Sequence, residues 1–111
     1  MSSHGIDPAT FSALCDSTGA DFVQELVDTF AEEAPGLVEE MRAARATGAA
    51  DDFRRAAHAI KSNALTFGAM ELATMARDLE HQGLAAEAAA TDSLDAALKA
   101  AIEALRNLCR G

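Results

Sequence analysis

The chain has no tryptophan or tyrosine, two cysteines, two prolines and only nine basic residues in 111. Each scarcity excludes something. Nine cations against eighteen acids leave a net charge of −9, so a nucleic-acid surface is excluded, because phosphate neutralisation needs clustered Lys and Arg. The seven glycines are scattered, and without a glycine-rich phosphate loop there is no recognisable ATP site. No apolar run is long enough to span a bilayer, and the opening MSSHGIDPAT lacks a signal-peptide core; the expected location is the cytoplasm, away from any membrane. Cys15 and Cys109 lie near opposite ends with no CxxC spacing, which reads as two reduced thiols rather than a disulfide or a metal site. Few aromatics and few β-branched runs argue against sheet.

What is abundant is alanine, 27 residues of it, in a chain that is 50% apolar. This composition predicts an all-α protein, one domain over residues 1–111 with a modest core. The initial Met and an ending just past the last apolar residue suggest a stand-alone protein. Asp7-Pro8 reads as an N-cap followed by proline at the first helical position, opening a short helix over 8–17 that Gly19 ends. Asp21 is expected to cap a long helix over 21–47. There Val23, Leu26, Val27, Phe30, Ala34, Leu37, Val38, Met41 and Ala44 keep one helical phase. Pro35 interrupts that run without breaking its phase, so one kinked rod is expected. Gly48 should terminate it, with Asp51 or Asp52 capping a third helix over 52–67. Gly68 permits a tight reversal into a helix over 70–82 with Leu72, Met75, Ala76 and Leu79 inward. GLAAEAAATDS reads as a loop, and Asp92 or Ser93 as the cap of a last helix over 92–109 with the stripe Leu94, Leu98, Ile102, Leu105 and Cys109. The expected architecture is an antiparallel up-down four-helix bundle with the short N-terminal helix as a lid.

The third helix carries the chemistry. At about 100° per residue, Phe53, Ala56, Ile60, Ala64 and Phe67 share one arc, and His58 lies roughly opposite. Arg54, Arg55, Lys61, Ser62 and Leu65 fall within about 60° of His58. Taken alone, such a cluster is a solvated helix face. Two features tell against that. Leu65 stands on the same ridge, where a solvated face would carry a polar residue, so it looks like a docking patch. Glu80 is the second: His58 lies ten residues before Gly68 and Glu80 twelve after it, so in a hairpin both stand roughly 15–18 Å from the reversal. A carboxylate there can accept a hydrogen bond from imidazole Nδ1–H and leave Nε2 unprotonated. The same placement leaves Glu80 open as a surface residue or as the ion-pair partner of Arg77 or Lys61.

AHAIKSNALTFGA followed by ARDLEHQG resembles the signature of histidine-containing phosphotransfer domains of bacterial phosphorelays. In that pattern stand His58, Ile60, Lys61, Ser62, Asn63, Gly68, Ala69 and, on the next helix, Glu80. The upstream FVQELVDTFAEEAPGLVEEMRAA also resembles the family's long helix with an interior proline. Two positions depart from the pattern: Ser62 replaces a common glycine, and Asn63 replaces a serine or alanine. Both bear on the choice of partner. Asn63 borders the buried arc, so its amide needs hydrogen-bond partners.

The resemblance implies a phosphocarrier that moves a phosphoryl group between receiver aspartates of response regulators, or of a hybrid histidine kinase, and Nε2 of His58. It implies that Glu80 orients the imidazole and that Lys61 neutralises phosphoryl oxygens. Arg54, Arg55, Ser62 and Leu65 would meet the receiver. It further implies a monomer that is not an enzyme in its own right, with no autokinase activity. The chain is expected to bind no cofactor or metal, the Mg²⁺ arriving with the receiver. An exposed neutral imidazole is a competent nucleophile near neutral pH, and phosphoryl transfer asks mainly for positioning and charge stabilisation.

Other readings compete. A helical interaction module would use Leu65, Met70 and the cations to dock a receiver or kinase without being phosphorylated. A metal site of His4, His58 and His81 fails because His81 points about 180° from its helix's inward face; His81 reads instead as a helix-terminal cation and His4 as tail. A hydrolase using Ser62 lacks oxyanion donors, since mid-helix N–H groups are already bonded.

Overall fold

The computed structural model describes residues 5–110, so the reading of His4 lies outside the described residues. The first helix, α1 (Pro8–Thr18), opens on the Asp7 side chain, which accepts a hydrogen bond from the Thr10 amide at 3.2 Å. Gly19, at φ 91°, turns the chain into α2 (Ala20–Thr47). Here Asp21 is not a cap. The cap position belongs to Gly19, and Asp21 falls in the first turn, where its charge still favours the helix N-terminus.

The second helix runs as one element through Pro35, which faces solvent. An exposed proline costs the helix one hydrogen bond but leaves its buried face continuous. Val23, Val27, Phe30, Ala34, Val38, Met41 and Ala44 are buried along that face, with Leu26 and Leu37 packed at its edge.

The next helix, α3 (Ala50–Phe67), begins before the aspartates expected to cap it. Ala49 occupies the cap position with no side-chain bond. Asp51 and Asp52 lie in the first turn, 3.7 and 3.2 Å from the guanidinium groups of Arg54 and Arg55. Acids in a first turn gain from the helix dipole and from cations three residues on. The buried face of α3 is wider than the predicted arc, because Ala57, next to His58, is also fully buried.

Gly68 reverses the chain into α4 (Met70–Gln82) for two physical reasons. Its φ is 80°, which disfavours any side chain. A Cβ there would also lie 2.9 Å from Thr10 Cβ and 3.1 Å from the Asp7 carbonyl oxygen. The segment preceding α1 is strapped across this turn: the Asp7 amide donates to the Gly68 carbonyl at 2.7 Å, and the Met70 amide to that of Gly5 at 3.0 Å.

A 3-10 turn over Gly83–Ala85 leads to α5 (Ala88–Arg110). This corrects the expected start at Asp92. Ala88–Ala90 is helical because alanine is the strongest helix former, and the chain turns earlier, at Gly83. Asp92 pairs with Arg42 of α2 at 2.9 Å instead of capping. Arg45 of α2 donates to the Ala86 carbonyl and ties the turn down.

The described residues are all-helical, with five α-helices and the short 3-10 turn. The second packs on α3 and α5, and α4 packs on the same two, so these four enclose a shared core, while α1 packs on α2 and α3. Phe53, Met41, Ile60, Leu72, Leu94, Leu98 and Leu105 are the largest fully buried side chains. Phe30 and Phe67 stack with centroids 5.5 Å apart. Among the described residues no helix is long and apolar enough to cross a membrane.

Candidate functional site

Buried Phe53, Ala56, Ala57, Ile60 and Ala64 hold α3 against the core and turn His58 outward. Its side chain is 57% exposed, and its Nδ1 lies 2.9 Å from Glu80 Oε2. An ionised carboxylate can only accept, so this contact requires the proton on Nδ1. In the neutral ring Nε2 then carries the lone pair.

Glu80 is held from both ends. Lys61 Nζ lies 2.8 Å from its Oε1, an oxygen that is itself buried. The Lys61 ammonium is the main reason the Glu80 carboxyl is held below the ordinary carboxylate range; the hydrogen bond from His58 adds to it, and partial burial opposes it. Arg77 takes no part, since its nearest carboxylate is Asp78 at 3.8 Å. Two roles that the sequence offers Glu80 as alternatives therefore coexist, one on each oxygen.

The other residues on the ridge divide. Arg54 and Arg55 are exposed, each beside an aspartate of its own first turn. Ser62 is exposed. Leu65 is 46% exposed, an open apolar group one further turn along. Asn63 satisfies its amide within its own helix, donating to the Ala59 carbonyl at 3.0 Å. His81 is exposed in the last turn of α4.

Two residues escape the sequence reading. Phe22 is 49% exposed; its apolar side chain off the α2 stripe was the available signal. Gly83 is the other: a Cβ there would lie 3.4 Å from Arg54 Nε and Nη2. No local signal announces that contact, because it joins α3 to the end of α4.

The site is thus an outward imidazole on a helical bundle, its inner nitrogen held by a carboxylate from the neighbouring helix. Residues 25–108 match the family model described as Hpt domain, well over half the chain, and the chain belongs to that family. Such domains are phosphocarrier modules of phosphorelays, without kinase activity, that interact with receiver domains and histidine kinases. The match begins inside α2 and ends in α5, so α1 lies outside it. Searches of curated proteins and of solved structures return no match.

Proposed function

We propose that this chain is a histidine phosphotransfer protein. It carries a phosphoryl group between receiver aspartates and its own His58 in a multistep phosphorelay, working in the cytoplasm as a monomer, with α2–α5 as an up-down antiparallel bundle. The observation that carries the reading is the 2.9 Å contact between Nδ1 of an exposed His58 and Glu80. It leaves Nε2 as the nucleophilic atom.

In the forward step the Nε2 lone pair forms an N–P bond while the O–P bond of the receiver's aspartyl phosphate breaks, its electron pair staying on the aspartate. The ring becomes an imidazolium. No proton has to move, because Nδ1 keeps its hydrogen and the Glu80 carboxylate opposes the new positive charge. The reverse step regenerates the neutral ring. Lys61, one turn from His58, balances charge on the phosphoryl oxygens. Arg54, Arg55, Ser62 and Leu65 form the surface that meets the receiver.

Among the described residues no three His, Cys, Asp or Glu side chains converge as a metal-binding set. In this reading the receiver holds the Mg²⁺ that such relays use.

The test is acid-labile labelling. ATP alone should give no label, and a phosphorylated receiver should label the chain. His58→Gln should abolish labelling while helicity by circular dichroism is unchanged. A chain that binds receivers yet takes no label would instead be an interaction module.

A further inference from the structure

Three cations cluster within a turn of His58, and they are not equally free. Lys61 is engaged by Glu80 at 2.8 Å. Arg55 is hydrogen-bonded to Asp52 at 3.2 Å and lies about 60° around α3 from His58, on the side away from Lys61. Arg54 differs from both. It lies on the same side of His58 as Lys61, about 40° around the helix, facing α4. Among the described residues its one carboxylate neighbour, exposed Asp51, is 3.7 Å away, beyond hydrogen-bonding distance.

Its seat is the turn that ends α4. Nε and Nη2 of Arg54 occupy the space in front of Gly83, where a Cβ would come within 3.4 Å of each. Gly83 also has φ 58°, a second reason for glycine. The guanidinium is thus lodged beside the carbonyl end of α4, which favours cations, three residues beyond Glu80. Residues four apart on a helix have Cβ atoms about 5–6 Å apart, and a helical side chain covers the turn preceding its own Cα. Both side chains lean the same way along α3, so the imidazole and the guanidinium stay about one helical turn apart, a gap that a phosphoryl group on Nε2 can span.

We propose that Arg54 contacts the phosphoryl oxygens on Nε2 of His58, and that Gly83 seats it for that contact. This rests on the relay reading of the site and makes Arg54 more than a docking charge. A planar guanidinium with uncommitted donors suits a tetrahedral oxyanion.

Phosphoramidate separates the two roles, since it donates a phosphoryl group without any docking surface. Its P–N bond breaks with the electron pair on departing ammonia while Nε2 forms the new N–P bond. R54Q should slow this reaction about tenfold, the loss of one charge-assisted hydrogen bond. It should slow transfer from a phosphorylated receiver at least as much, and R54K should recover part of the rate. Gly83→Ala should approach the R54Q rate; because it adds strain at a positive φ, its fold is checked by circular dichroism, and R54Q, at an exposed position, gives the answer independently. Unchanged phosphoramidate kinetics in R54Q, with slower transfer from the receiver only, would overturn the proposal and leave Arg54 as a docking residue. Wild-type protein labelled by phosphoramidate but by no phosphorylated receiver would remove the relay reading and leave the Arg54 contact standing. If phosphoramidate does not label His58 either, both fall.

Discussion

His58 and Glu80 are 22 positions apart in the chain, yet His58 Nδ1 and Glu80 Oε2 are 2.9 Å apart. The hairpin that brings them level turns at Gly68, whose φ of 80° and close approach to Thr10 leave no room for a side chain. Lys61 completes the arrangement from the far oxygen of the same carboxylate.

Removing the carboxylate should slow transfer without ending it, because the nucleophile remains. Glu80→Ala is expected to reduce the rate of labelling about tenfold, the value of one hydrogen bond to a charged group. In nitrogen NMR spectra of the unphosphorylated protein, the Nδ1–H tautomer of His58 should lose its dominance in this variant. An unchanged tautomer would show that Glu80 does not orient the ring.

The lowered Glu80 pKa fixes the sign of a pH effect. The unfolded carboxyl titrates at about 4.3, and the folded one lower because of Lys61 and then His58. As pH falls, the unfolded chain binds this proton first. The contribution of Glu80 to stability is therefore complete above the unfolded value and lost as pH drops through the folded one. In urea titrations the stability gap between wild type and Glu80→Gln should narrow as pH is lowered into that range. Lys61→Met should return the Glu80 carboxyl towards its ordinary titration, read by carbon NMR.

Gly68→Ala should destabilise the fold by about 2 kcal/mol or more, since a left-handed backbone penalises a Cβ and this one would meet Thr10 Cβ at 2.9 Å. Hydrogen exchange should rise first at the Asp7 and Met70 amides, which bond across this turn. A melting temperature equal to wild type would contradict the account of the turn.

Thr91 is 2% exposed and its hydroxyl has no hydrogen-bond partner among the described residues. Valine has nearly its shape and carries no polar group to desolvate, so Thr91→Val should leave stability unchanged or raise it by about 1 kcal/mol. A clear loss in urea denaturation would mean that the hydroxyl is bonded in solution.

Much of the helical layout can be read from local pattern. The apolar phase from Val23 to Ala44 passes through Pro35, and the helix does the same, because periodicity measures the face that packs and not the single bond a proline removes. Helix starts are less legible. Asp21, Asp51, Asp52 and Asp92 all resemble caps, yet none of them caps a helix; they lie inside helices, the last three beside arginines. A side chain that satisfies backbone amides in a cap is equally suited to an ion pair, and only the surroundings select between them.

The site divides in the same way. One helix and its period are enough to turn His58 away from Phe53, Ile60 and Phe67 and to range Arg54, Lys61 and Leu65 around it, since these positions follow from backbone geometry alone. How the cations are used is a tertiary matter. Lys61 meets Glu80, and Arg54 lies against Gly83, because α4 packs along α3 at one height and ends where it does. Contacts of a few ångströms between residues more than a dozen positions apart depend on how two rods dock, which no single helix encodes.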